Sequence, residues 1–337
     1  MKEDISLIGT HSRGSKRGVA VKKFVPILAT ALCIAIGMFA LTGCSPSSGS
    51  SGSSDSGSTS SVFNYDATIE KTTLVDNDVV SVVAESLSYE NNQAVLNLSI
   101  TNKSGGNISV GSSTLSFPAN SINSYMVPGG WFSEDIPAGE TVSVEANYSI
   151  DELRIYGIKA INEIGVGISV ADDDYETLYQ DVTTLTTSLG GSYSDSSFND
   201  AINDPSIQSS LGATVKNTST NLGTLTYNGL HFNAAYLVKN SDGEYALMFE
   251  VENTTDIPMY IKSEGLLVNG EDLGSYFGGI YLESGKKRVD SIDLSYYLES
   301  AEKSDIQDSI NEVCFTYSIL DENGNTIAGD NQAKFAF

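Results

Sequence analysis

The chain has 337 residues, enough for two or three ordinary domains, and it is strongly acidic. It carries 18 Lys and Arg against 43 Asp and Glu, a formal net charge of −25 at pH 7. Because proteins hold nucleic-acid phosphates with clustered Lys and Arg, this composition argues against a nucleic-acid partner and favours cations or basic partners.

The amino-terminal segment is basic and then apolar. Lys22 and Lys23 end a basic stretch, and an apolar run extends from Phe24 to Leu41. This order is typical of a secretory signal peptide. The run is about 18 residues long, so its length alone also permits a membrane-spanning helix.

A short motif closes this segment. Leu41 is followed by two small residues and Cys44, which resembles the lipobox of bacterial, in particular Gram-positive, lipoproteins. The resemblance implies that residues 1–43 are removed as a signal peptide and that the Cys44 thiol carries a diacylglyceryl group with palmitate-type chains. Two acyl chains anchor a protein far more firmly than one. We therefore expect attachment to the outer, extracytoplasmic face of the cell membrane. The alternative is an uncleaved signal anchor with a chance cysteine.

The next segment, residues 44–62, is a predicted tether. Ser45 to Ser61 is nearly all Ser and Gly, and it has no apolar side chain to bury. A coil of this length has a root-mean-square reach of roughly 20–25 Å. Beyond it only Cys314 remains, so the mature chain is expected to have no intramolecular disulfide despite export.

An internal repeat organises the rest of the chain. The segment from Ala94 to Asn102 aligns with the segment from Tyr245 to Asn253, and both alternate apolar and other residues with a period of two. Each ends at Asn-x-Ser/Thr, a turn signal. A second pair, Ile161-Asn-Glu-Ile164 and Ile310-Asn-Glu-Val313, recurs in the same order and starts another alternating run. We interpret the pattern as a tandem duplication.

The repeat predicts an all-β fold with two tandem Ig-like antiparallel β-sandwich domains, 63–187 and 212–337, joined by a linker at 188–211. The linker is expected to contain one helical turn near Phe198 to Ile202. A short helix is expected before the late strands, with Ser149 and Ser304 starting capping boxes. The repeat unit resembles uncharacterised Ig-like domains of secreted and lipid-anchored Gram-positive proteins, over about residues 66–186 and 212–337. That resemblance implies an extracytoplasmic binding or envelope role and no catalytic residues.

Residues for catalysis or metal binding are scarce. Beyond the predicted signal peptide the only histidine is His231, which falls in a predicted strand and is expected to be structural. One His and one Cys cannot build a zinc site, and Cys314 is expected to be a small residue on the outer face of a sheet. The turns Asp172 to Asp174 and Asp321 to Asn325 could offer oxygen ligands to calcium, but solvated hairpins explain them better. We predict no cofactor and no metal site.

Aromatic residues flank a Gly-Gly pair in both units. The candidate partner-binding side chains are Tyr125, Trp131, Phe132, Tyr276, Phe277 and Tyr281. Exposed aromatics on sandwich loops often bind sugars or proteins, but the same residues could instead cover the end of each core.

The sequence therefore predicts a non-catalytic, lipid-anchored surface protein whose tandem β-domains act as spacer and interaction module. Its expected partners are the membrane, through the lipid on Cys44, and an extracellular protein or cell-wall ligand. Two alternatives stay open. One is a ligand-binding lipoprotein associated with transport, and the other is a cell-envelope hydrolase.

Overall fold

The computed structural model describes residues 63–113, 115–191, 194–224, 227, 229–274, 279–321 and 323–337. The predicted signal peptide, Cys44 and the predicted tether lie outside the described residues. Within the described residues, no helix is both long and apolar enough to span a membrane.

The first half of the described chain contains ten strands. They are β1 (Thr72–Asp76), β2 (Val80–Glu90), β3 (Gln93–Asn102), β4 (Ile108–Gly111), β5 (Ser121–Ile122), β6 (Tyr125–Met126), β7 (Ser133–Ile136), β8 (Thr141–Ser149), β9 (Glu163–Asp172) and β10 (Thr177–Thr186). One sheet has the order β1-β2-β3-β8. In the facing sheet β9 pairs with β10, β4 and β5, β7 lies beyond β4, and β6 lies beyond β5. All these pairings are antiparallel.

The second half repeats this arrangement. Its strands are β11 (Ala213–Thr218), β12 (Asn221–Thr224), β13 (Leu230–Asn240), β14 (Tyr245–Asn253), β15 (Met259–Val268), β16 (Glu271–Asp272), β17 (Gly279–Leu282), β18 (Lys287–Asp293), β19 (Glu312–Leu320) and β20 (Thr326–Ala336). One sheet has the order β11-β13-β14-β18. The other has the order β12-β20-β19-β15-β16, with β17 also paired to β15. The predicted all-β fold of two antiparallel, Ig-like sandwiches is confirmed.

The alternating patterns of the sequence form the two cores. Side chains that point inward from β3, β9, β14 and β19 are almost completely buried. They are Leu96, Leu98, Ile100, Ile164, Val166, Ile168, Val170, Leu247, Phe249, Val251, Val313, Phe315, Tyr317 and Ile319. Successive strand residues point to opposite faces, so a period of two places one face of each sheet in a core.

Four short α-helices connect or cover the sandwiches. They are α1 (Ile150–Ile155), α2 (Phe198–Ile202), α3 (Pro205–Leu211) and α4 (Leu294–Ser300). The helix N-cap predicted at Ser149 is present, since the Ser149 hydroxyl accepts a hydrogen bond from the Glu152 backbone N–H. The Glu152 carboxylate, the other half of the predicted capping box, accepts from the Tyr156 hydroxyl instead. The cap predicted at Ser304 is wrong. Helix α4 begins earlier, where Asp293 caps it, and Ser304 opens a 3₁₀ helix without a side-chain cap.

The predicted linker, 188–211, contains two packed helices. Phe198, Ile202 and Ile207 are buried in the same apolar cluster as the first sandwich. That cluster also includes Tyr236 of β13 and Met248 of β14. The two helices therefore fill the space between the first sandwich and the outer face of the second.

The Ile-Asn-Glu motifs have a structural explanation. In the first sandwich the Asn123 carboxamide oxygen accepts hydrogen bonds from the backbone N–H groups of Asn162 and Glu163. Asn269 makes the same two bonds to Asn311 and Glu312 in the second sandwich. Both acceptor residues have a left-handed backbone, φ 53° and 52°, a conformation that asparagine tolerates well.

Candidate functional site

Six aromatic residues are predicted from the sequence to bind a partner, and those that the structure describes differ in solvent exposure. Trp131 is 64% exposed, whereas Tyr125, Phe132 and Tyr281 are 3%, 5% and 9% exposed. A buried ring offers no face to a partner, so the binding role predicted for these three is corrected to one in packing. Tyr276 and Phe277 lie outside the described residues.

The Gly-Gly pair beside Trp131 exists because an aromatic ring packs against it. Gly130 has a left-handed backbone, φ 80°, and a Cβ added there would lie 2.5 Å from the Tyr148 ring. A Cβ at Gly129 would lie 3.1 Å from the same ring. Tyr148 is 1% exposed and belongs to the first core. The glycines let the backbone run directly over this ring.

Ser112 forms hydrogen bonds to the backbone on both sides of the exposed Trp131. The buried Ser112 hydroxyl donates to the Gly130 carbonyl at 2.9 Å and accepts from the Phe132 backbone N–H at 3.2 Å. The Ser112 backbone N–H also donates to the Phe132 carbonyl at 3.1 Å. Because its neighbours are fixed, the exposed indole of Trp131 is available to a partner without ordering of the main chain.

The two sandwiches meet through a backbone pairing. Strand β6 of the first pairs in parallel with β18 of the second, with Tyr125 opposite Lys287. The Lys287 N–H donates to the Ser124 carbonyl at 2.8 Å. One sheet of the first sandwich therefore continues into one sheet of the second.

A buried carboxylate lies at this junction. Glu250 of β14 is 4% exposed and accepts a hydrogen bond from the Tyr125 hydroxyl of the first sandwich. Asn233 donates to the other carboxylate oxygen at 2.9 Å, and the Lys287 ammonium lies 3.9 Å from it. Burial and the neighbouring Glu250 raise the pKa of Tyr125, so its hydroxyl stays protonated and acts as the donor.

Basic residues complete the junction. The Lys286 ammonium donates to the Asn123 carbonyl at 3.0 Å and lies 3.4 Å from a Glu163 carboxylate oxygen. The Arg288 guanidinium, 9% exposed, forms an ion pair of 2.6 Å with Asp290 and reaches the Leu115 carbonyl at 3.5 Å. Each basic side chain of this run therefore contacts the first sandwich or pairs with a carboxylate beside it.

The junction residues were not predicted from the sequence, although two signals were present. Lys286, Lys287 and Arg288 form a run of three bases in an acidic chain. Glu250 interrupts an otherwise apolar stretch of β14. A charged residue in such a strand is costly to bury without a partner, which indicates a specific contact.

The acidic turns use their carboxylates internally. Asp172 accepts hydrogen bonds from the backbone N–H groups of Asp174 and Glu176, both within 3.0 Å. Asp321 does the same for the backbone two and four residues further on. Among the residues that the structure describes, no three or more His, Cys, Asp and Glu side chains lie together as a metal site.

The other two chemically notable residues lie in strands. His231 is in β13, as predicted, and is partly buried. Cys314 is in β19, between Leu267 and Lys334 of the neighbouring strands, and is 5% exposed. Burial raises the pKa of the Cys314 thiol, so the thiolate form needed of a nucleophile is disfavoured.

Comparison with known proteins yields only weak structural likeness. No protein-family model matches the sequence, and no curated protein matches it either. The Salmonella enterica SafA pilin in complex with the SafB chaperone is 11% identical, with 72% of this chain and 89% of that chain covered and a TM-score of 0.20. The Pseudomonas aeruginosa CupB2 chaperone is 11% identical, with 72% and 92% covered and a TM-score of 0.17.

An enzyme is also among the similar structures. The Amycolatopsis orientalis exo-chitosanase CsxA is 12% identical, with 74% of this chain but 26% of that chain covered and a TM-score of 0.21. Global superpositions at this level do not transfer a function.

Proposed function

We propose that this chain is a lipid-anchored extracytoplasmic protein whose two β-sandwiches act together as a non-catalytic spacer and interaction module. The observation that carries the proposal is the junction between the sandwiches. There a continuous sheet, the buried contact of Tyr125 with Glu250 and the helices of 188–211 hold the two domains in one orientation.

The junction supports a spacer because separating the sandwiches is costly. Removing Tyr125 from Glu250 would leave a buried carboxylate with one of its partners missing, and unpaired buried charges are strongly destabilising. Separation would also expose Phe198 and Tyr236, whose rings lie 5.5 Å apart. A body of this kind keeps the outer surfaces of its two sandwiches at a fixed distance from each other.

The interaction role is supported by the exposed Trp131 on a fixed backbone. Tryptophan is among the residues that contribute most to binding energy at protein interfaces. The membrane anchor is supported by the signal-like segment and the lipobox motif that ends at Cys44.

Intact mass spectrometry of the membrane-fraction protein tests the anchor. Wild type is compared with Cys44→Ala, and Cys314→Ala is the matched control because it removes the other cysteine that remains beyond the predicted signal. We expect a mature chain that begins at Cys44 and carries a diacylglyceryl mass in wild type and in Cys314→Ala, but not in Cys44→Ala.

Two outcomes would contradict the proposal. An unprocessed chain in all three proteins would replace the lipid anchor by a signal anchor. Turnover of a cell-wall polymer by the purified full chain would replace the non-catalytic role by that of a hydrolase.

A further inference from the structure

The first sandwich carries a surface groove whose lining has no ionisable side chain. The groove has a volume of about 270 Å³ and lies where β4, β7, β9 and β10 meet the loop of Phe117 and Pro118. Five serines and Gln180 supply its polar groups. The chain has a net charge of −25, yet the polar groups of this groove are all uncharged. Because the lining has no charge to pair with a charged ligand, the groove indicates a neutral ligand.

The strand register aligns these polar groups. Gly111 of β4 is paired with Ser133 of β7 on one side and with Ser169 of β9 on the other. Ser169 is in turn paired with Gln180 of β10. Directly paired residues share a face, so the four form one row across four strands, about 14 Å long at about 4.8 Å per strand. Gly111 has no side chain and leaves a gap in the middle of the row.

Several groups in the row are available to a ligand. In the described part of the chain, the Ser133 and Ser169 hydroxyls make no hydrogen bond to another protein group. The Gln180 amide nitrogen donates to the Phe117 carbonyl at 3.2 Å, which orients the amide and leaves its oxygen as an acceptor. The row therefore presents two hydroxyls and one amide oxygen at spacings fixed by the sheet.

The groove wall is held in place by a close backbone approach. The Phe117–Pro118 segment crosses β9 at Gly167, where an added Cβ would lie 2.0 Å from the Pro118 carbonyl oxygen. This segment brings Phe117, which is 44% exposed, to the edge of the groove. Ser112 lines the groove as well, and its hydroxyl also binds the backbone on both sides of Trp131, at Gly130 and Phe132.

We propose that this groove binds a neutral saccharide, a short oligosaccharide of hexose or N-acetylhexosamine units. The serine hydroxyls and the Gln180 amide can donate to and accept from sugar hydroxyls. The partly exposed Phe117 ring offers an apolar face for the sugar C–H groups. An anionic ligand is disfavoured by Asp135, which accepts a hydrogen bond from Ser109 at the groove edge. The inference rests on the proposed role as an extracytoplasmic interaction module and names the ligand class of that module.

The test uses the full chain, purified in detergent. Chito-, cello-, manno- and galacto-oligosaccharides are the neutral probes, and an oligolysine peptide and inorganic phosphate are the charged ones. Binding is measured on an array and then by calorimetry with the best oligosaccharide. The variants are Phe117→Ala and the double change Ser133→Ala with Ser169→Ala, and the matched control is Tyr296→Ala, an exposed aromatic of the second sandwich, 57% exposed.

We expect at least one neutral oligosaccharide to bind, each groove variant to weaken it by about tenfold or more, and Tyr296→Ala to leave it unchanged. Circular dichroism confirms that the variants are folded; should Phe117→Ala be unfolded, the double serine variant decides alone. No binding of any neutral probe, equal binding in the groove variants, or groove-dependent binding of the charged probes alone would overturn the inference. The mass measurement at Cys44 is independent of all these outcomes, so the proposed anchoring is judged separately.

Discussion

Asn102 and Asn253 are equivalent residues of the two sandwiches, and each is a completely buried amide at the end of a core strand. The Asn102 oxygen accepts from the backbone N–H and the hydroxyl of Ser104, and the Asn253 oxygen accepts from the same two groups of Thr255. Both amide nitrogens donate to carbonyls of the turn and of a distant strand end. The Asn-x-Ser/Thr motif is thus a buried hydrogen-bonded turn in both copies.

Replacing Asn253 should therefore destabilise the second sandwich. Asn253→Ala removes a fully buried amide whose nitrogen donates to the Ile257 and Leu282 carbonyls, and the bond to Leu282 is itself buried. We expect a loss of about 2–3 kcal/mol in the free energy of unfolding, measured by urea denaturation. Asn97→Ala, on β3 with a single side-chain bond to Ser86, is the control and should cost less than about 1 kcal/mol. Equal losses of unfolding free energy in Asn253→Ala and Asn97→Ala would show that the buried amide contributes no more to stability than the partly exposed one.

The contact between Tyr125 and Glu250 should couple the two sandwiches energetically. Tyr125→Phe removes the hydroxyl donor from a buried carboxylate, so we expect a loss of about 1.5–3 kcal/mol. A double-mutant cycle with Glu250→Gln should give a coupling energy of about 1 kcal/mol or more. Tyr296→Phe, with an exposed ring, is the control and should be neutral. A coupling energy near zero would argue against a fixed junction.

Stability should depend on pH through Glu152. Burial raises the pKa of Glu152 from 4.5 to about 7, although the Tyr156 hydroxyl donates to its carboxylate. Between these two values the folded chain holds a proton that the unfolded chain has released, so stability falls as the pH rises from 4.5 to about 7 and is level above. Glu152→Gln should abolish this part of the pH dependence, measured as the difference between the two unfolding curves from pH 4 to 8. Parallel curves would contradict the raised pKa.

Two glycines with nearly the same φ should differ in their response to alanine. Gly130 and Gly139 have φ 80° and 76°, but an added Cβ at Gly130 meets the Tyr148 ring and one at Gly139 meets nothing within 4 Å. Gly139→Ala should cost about 1 kcal/mol from backbone strain alone. Gly130→Ala should cost about 1–3 kcal/mol more because the Tyr148 ring must move. Thermal unfolding of both variants measures this difference. Equal unfolding midpoints would show that the Tyr148 ring moves aside without loss of stability.

The strands and the fold class could be predicted from the amino-acid sequence. Leu96, Leu98 and Ile100 alternate with polar residues, and the structure buries all three. Leu247, Phe249 and Val251 have the same spacing and are buried as well, although Met248 between the first two is apolar. This part was predictable because alternation along a strand is a local pattern that directly reflects which face is buried. The cap at Ser149 was predictable for the same reason, since its partner is three residues away.

Which residues a partner can reach could not be predicted in this way, because exposure depends on the tertiary structure. Tyr125 and Trp131 belong to one short segment of similar composition, yet Tyr125 is buried at the domain junction and Trp131 is exposed. The row of Ser133, Ser169 and Gln180 is assembled by the register of four strands from residues far apart in the chain. Exposure and cross-strand pairing depend on which distant parts of the chain come into contact. The local alternation of apolar and polar residues contains no information about these long-range contacts.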